Sequence, residues 1–170
     1  MSFIINHFLV SSIPHLFRKI NIFSKMRNRK LFYRLLLTFT PAAADTIASH
    51  LKDTGKQVSD FDLIVTGDLG YVGTTLLKEL LSEKGIELGN VHNDCGLMIF
   101  DRENQDVHAG GSGCGCCASV LCGYLADRVR EGSIKNLLVV ATGALMSPLS
   151  VQQGESIPGI AHAIHISGEC

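Results

Sequence analysis

Short apolar runs alternate with amphipathic stretches along most of the chain. Leu63-Ile64-Val65 lies at the centre of a run from Phe61 to Thr66 that reads as a buried strand. Gly96 to Phe100 and Asn136 to Ala141 around Leu137-Leu138-Val139-Val140 read the same way, and Ala161 to Ile166, which alternates imperfectly, reads as a last strand near a sheet edge. Between them the period changes. Leu69, Val72, Leu76, Leu77 and Leu80 recur at helical spacing and predict a helix over Tyr71–Ser82, ended by Gly85. Val120, Leu121, Tyr124, Leu125 and Val129 predict a second over Ala118–Arg130. Thr40 followed by Pro41 and three alanines looks like a cap with proline in the first turn, predicting a helix from there to about Lys52, near Gly55.

Helices alternating with apolar strands give an α/β class: a mixed, mainly parallel sheet of four or five strands covered by helices. Asp101 to Gln105 reads as a polar turn, and Val107 as the start of a short return strand. Ligands in such sheets bind at the carboxyl ends of strands. Three turns lie at such ends, after Val65, Phe100 and Ala141, and two glycine-bearing stretches sit next to element junctions. Gly110-Gly111-Ser112-Gly113-Cys114-Gly115 opens a helix, and Ala141-Thr142-Gly143-Ala144-Leu145 closes a strand. A glycine loop at a helix start permits close backbone approach and presents N–H groups to a ligand. The plain alternative is that these glycines serve turns and packing.

Charge divides the chain. Of 15 Lys and Arg, seven precede residue 41, where no Asp or Glu occurs, so the remainder carries eight basic against 16 acidic residues. Residues 1–40 therefore read as a basic, apolar leader joined to a domain spanning 41–170. Its apolar run is too short for a spanning helix, which needs roughly 18 residues. Its basic residues follow the apolar patch, unlike a secretory signal. A membrane-surface segment, giving peripheral association, is the alternative. The Lys and Arg are too diluted by Phe, Leu and Ile for a nucleic-acid arm.

Cysteines at 95, 114, 116, 117, 122 and 170 raise metal and disulfide chemistry. Cys114-x-Cys116-Cys117 is too tight for a zinc pair, and His162 and His165 lack the usual spacing, so no metal is expected. The thiols read as small packing residues in a reduced, cytosolic setting. No G-x-G-x-x-G with a following acid and no P-loop occurs, so no cofactor is expected.

Four stretches carry a more specific signal: Asp62–Gly73 (DLIVTGDLGYVG), Asn93–Asp101 (NDCGLMIFD), Ala109–Cys116 (AGGSGCGC) and Leu137–Ile164. Together, from about Pro41 to His165, they resemble the C-terminal half of the stage V sporulation protein AD family of endospore-forming Firmicutes. The resemblance implies a thiolase-like fold of two similar halves. It also implies a soluble, peripheral protein that acts with other stage V components on the cytoplasmic side of the developing spore, at its inner membrane, and binds dipicolinic acid between the halves. A frameshifted or misassigned start replacing the first half would explain the leader, with a separate N-terminal half or a second copy as partner.

The resemblance also implies a catalytic test. Active thiolase-type enzymes carry a nucleophilic Cys on the N-terminal half and a His, with a second His or Asn, on the C-terminal half. Here the first His position falls at Thr66 or Gly67, and the second near Gly110–Ser112, beside His108. Cys114 is a thiol at a helix start with no partner base in view. The expectation is a non-enzymatic binding protein, with an acyltransferase or a nonfunctional fragment as alternatives. Dipicolinate, alone or as its calcium chelate, would be held by backbone N–H groups at Gly111, Ser112, Gly113 and Gly143. Asp68 and Ser147 are rim candidates, and capping of the following helix is the alternative role for Asp68.

Overall fold

The computed structural model describes residues 29–110, 113–144, 147, 149, 152–155 and 158–168, with side chains from Thr38 onward. The chain divides into two units at Phe32–Tyr33. The sheet and the helices covering it belong to the second, Tyr33–Cys170, apart from the opening residues of a helix that begins at Arg29.

That first helix, α1 (Arg29–Thr54), runs through Thr40-Pro41 instead of starting there. Leu, Arg and Lys are strong helix formers and dominate residues 29–37, so no cap is needed at Thr40. Pro41 costs one backbone N–H in mid-helix. Thr40 is fully buried, and its Oγ1 has no hydrogen-bond partner among the described residues. Gly55, at φ +66°, ends the helix as expected.

A 3₁₀ turn (Val58–Asp60) leads into β1 (Leu63–Thr66), followed by α2 (Gly70–Ser82). Next come β2 (His92–Asp94) and the single-turn helix α3 (Cys95–Met98). Here the expected apolar strand over Gly96–Phe100 is corrected. The polar His92-Asn93-Asp94 pairs with β1, and Asp94 then caps α3 by accepting from Gly96 N at 3.0 Å. Apolarity at Leu97 and Met98 marks a helix packed on the sheet, not a strand within it. The segment at Val107 makes turns, with Val107 N–H bonded to Gln105 O, and forms no return strand.

The second predicted helix begins slightly early. It is built of α4 (Cys116–Ser119), a π-helical stretch (Val120–Leu125) and α5 (Ala126–Arg130). The wider π turn puts Val120 and Leu125 into the core and turns Tyr124 outward, against the stripe expected from an unbroken α-helix. β3 (Asn136–Ala144) and β4 (Gly159–Ser167) complete a four-stranded sheet ordered β2-β1-β3-β4. β1 pairs in parallel with β2 and β3, and β4 pairs antiparallel with β3 at the edge.

The sheet is covered on both faces, as apolar strands without alternation require. Ile64, Leu138 and Val140 meet α1 and α2 residues such as Ile47, Leu51, Leu77 and Leu81. Val65, Leu137 and Val139 meet Cys95, Cys116, Val120 and Leu125 on the other side. Cover stops at β4. Ala161 and Ala163 join the first cluster, while Ile160 and Ile164, on the opposite face of the strand, are 52% and 56% exposed.

Candidate functional site

The carboxyl end of β1 meets the end of β2 at one buried carboxylate. Asp94, fully buried, accepts from Thr66 Oγ1 (2.5 Å) and Leu69 N (2.9 Å) on one oxygen. Its other oxygen accepts from Gly70 N (2.9 Å) and Gly96 N (3.0 Å). Asp94 thus caps α2 and α3 together. Asp68, the expected cap for α2, does not make those bonds. Burial pushes the Asp94 carboxyl up, and the Thr66, Gly70, Leu69 and Gly96 hydrogen bonds oppose that shift. The positive end of α2 is therefore already answered by a protein carboxylate.

Asp68 does something else. Half-buried after β1, it accepts from Thr142 Oγ1 at 2.7 Å and from Gly113 N at 3.1 Å. One side chain joins the turn after β1, the glycine loop and β3. Beneath it Gly67 lies so close to β3 that a Cβ there would stand 2.9 Å from Thr142 N. Gly113, exposed at φ +140°, has open space where a Cβ would project, so the surface above it is accessible. Its N–H is already bonded to Asp68, which corrects its expected role as a donor to ligand.

The other expected positions separate. Gly143 is not in a turn: β3 extends through it, paired with Ile160. The strand continues because β4 supplies partners for residues that look like turn formers in isolation. Gly143 flanks Thr142 and so remains at the junction. Ser147 is half-buried beyond the end of β3. Gly111 and Ser112 lie outside the described residues. Sequence alone does not single out Thr142 or Asp94, although both sit inside the four distinctive stretches.

The groups a catalyst would use are differently disposed. His92 is buried, and its Nε2 stands 3.2 Å from Thr66 Oγ1. Because Thr66 donates its own proton to Asp94, it accepts from His92, making Nε2 the protonated nitrogen. Nδ1 is buried with no partner among the described residues. Burial, helped by Lys78, drives this imidazole down to about 4. His108 is exposed at φ +50° and faces Asp106 across 3.6 Å. Cys114 is exposed, without a base described beside it. Cys116 is pushed up to about 11, first by burial and then by Asp68 and Asp94. Among the described residues no group of three or more His, Cys, Asp or Glu is placed to hold a metal ion. No described helix is long and apolar enough to cross a membrane.

The segment between α3 and the glycine loop is pinned over α2. Tyr71 N–H donates to Ala109 O at 2.7 Å, and Arg102 donates from Nε to His108 O at 3.0 Å. The Arg102 guanidinium also lies 4.1 Å from the centre of the Tyr71 ring. The charged side chain joining the turn after β1, the glycine loop and β3 is thus the Asp68 carboxylate, while Arg102 is engaged by His108 O and the Tyr71 ring.

The profile of the family described as Stage V sporulation protein AD matches residues 35–167, beginning inside α1 and before Pro41. The Stage V sporulation protein AD of Bacillus subtilis (strain 168) is 50% identical over 124 residues, 73% of this chain and 36% of that protein. The chain thus spans about a third of the length of this relative. With its mixed sheet consistent with a thiolase-like half, the chain belongs to the stage V sporulation protein AD family.

Proposed function

We propose that this chain forms one wall of a pocket for dipicolinate, a small aromatic dicarboxylate, and acts in sporulation as a non-enzymatic accessory to its uptake. The carrying observation is Asp68 bridging Gly113 and Thr142, which brings two strand ends and the glycine loop to one accessible junction. Charge refines the reading. Asp68 and Asp94 lie at this junction, and a bare dianion would be repelled there. The calcium chelate of dipicolinate carries its own compensating charge, so it is the form we favour. The rest of the pocket comes from an N-terminal half-domain or a second copy, and the complex acts on the cytoplasmic side of the developing spore, peripheral to its inner membrane, with other stage V proteins.

Catalysis is not favoured. Thr66 and Gly67 stand where the superfamily's first histidine is expected, and His92, though adjacent to Thr66, is enclosed and spent on that hydroxyl.

Calorimetric titration of the chain joined to a family N-terminal half tests the proposal. Binding of dipicolinate is expected with calcium and should fall when calcium is chelated. The chain without that half is expected to bind about a hundredfold more weakly, the effect of losing two charge-assisted hydrogen bonds. Gly113→Val should weaken binding by crowding the open backbone, while Cys122→Ala, on an exposed face of the helix, should not. Equal affinity for wild type and Gly113→Val would remove the glycine loop from the pocket.

A further inference from the structure

Three thiols meet under the glycine loop, in a part of the fold the ligand reading does not use. Cys95 opens α3 and is fully buried, while Cys116 and Cys117 open α4, which packs against α3. All three belong to one apolar cluster on the same face of the sheet. Cys95 and Cys117 are close enough to perturb each other's ionisation. Cys117 is half-buried, so solvent reaches the pair from its side. The intervening residues include Arg102 to Ala109, the segment pinned over α2.

We propose that Cys95 and Cys117 form a reversible disulfide when the protein meets a hydroperoxide, cross-linking α3 to the first turn of α4. Cys117, as thiolate, attacks one peroxide oxygen. The O–O bond breaks, leaving Cys117 as a sulfenic acid and releasing one water or alcohol. The Cys95 sulfur then attacks the Cys117 sulfur, the S–O bond breaks, and a water leaves with the Cys95 proton. Two thiols are oxidised and one peroxide is reduced. The order follows from access and acidity. Contact with Cys95 draws the Cys117 thiol down, against burial and the Asp68 and Asp94 carboxylates, whereas the Cys95 thiol is pushed up. Closing this ring ties the chain between α3 and α4 at both ends.

The test uses the full chain with Cys114, Cys122 and Cys170 replaced by Ser, so that other thiols do not compete. After hydrogen peroxide treatment under native conditions, blocking of free thiols and digestion, mass spectrometry should find a Cys95 peptide joined to the peptide containing Cys117. Dithiothreitol should separate them. Cys117→Ser, at a half-exposed position, should abolish the link, and Cys116→Ala should retain it. Circular dichroism of each variant before oxidation checks that it is folded. A link that survives Cys117→Ser, or wild-type protein in which Cys117 overoxidises while Cys95 stays free to alkylate, would overturn the proposal.

Discussion

His92 is a polar residue in a strand, and its surroundings make it a stability sensor for acid. The unfolded imidazole takes up a proton near its ordinary value of 6.5, and the folded one only at about 4. Between those values the unfolded state binds more protons, so stability rises with pH across the window and is lost on acidification. Each unit is worth about 1.4 kcal/mol, which gives about 3 kcal/mol for this residue. Protonation would also place an N–H on the buried Nδ1, which has no described acceptor. His92→Gln should flatten the dependence of the urea midpoint on pH between 6.5 and 4, with Lys78 nearby to account for a small further shift. An unchanged slope would mean that His92 does not carry the acid sensitivity. Nothing in the sequence separates His92 from the other six histidines. Its role depends on Thr66 and Asp94, which register pairing places opposite each other across β1 and β2.

At the scale of elements, the sequence is clearest where apolar periodicity and side-chain burial agree. β1, α2 and β3 are legible for that reason: the apolar stripe expected on each is buried or partly buried. Legibility fails where a long-range partner overrides local chemistry. Gly143 looks like a turn residue, yet β4 holds it in a strand. The stretch beginning at Gly96 looks like a strand, yet Asp94 turns it into a capped helix. Pro41 looks like a helix start, yet the residues before it continue the helix. The Asp68 bridge spans 74 residues to Thr142, so no local pattern could announce it. Gly70 is the element junction most exposed to test. It opens α2 at φ +63°, and a Cβ there would stand 2.6 Å from Ala109 O. Gly70→Ala should therefore destabilise the fold by about 1–3 kcal/mol through backbone strain, plus the contact it forces. It should also loosen Tyr71 N–H from Ala109, read as faster amide exchange at Tyr71. A neutral effect on the denaturation midpoint would place the strain elsewhere.

Across the whole molecule, the uneven cover of the sheet is the feature with consequences for assembly. The face of β4 bearing Ile160 and Ile164 is more than half exposed at both residues, while its other face packs into the core. Among the described residues β4 is also the last strand of the sheet, nine residues long. A long, apolar edge invites pairing with another chain. Tyr124, turned outward by the π stretch, adds a third exposed apolar side chain from the helix covering that side of the sheet. Burying the remaining exposed part of each isoleucine contributes on the order of 1 kcal/mol, enough to bias association but not to hold a tight dimer alone. Sedimentation should therefore show concentration-dependent association of the chain. Ile160→Lys with Ile164→Lys should shift it to monomer, with the helical circular dichroism unchanged. Adding a family N-terminal half should compete with self-association if that half covers the same face. A wild-type chain that stays monomeric at high concentration, and fails to bind that half, would show that β4 needs no cover. The pocket partner would then have to approach from the Asp68 side alone.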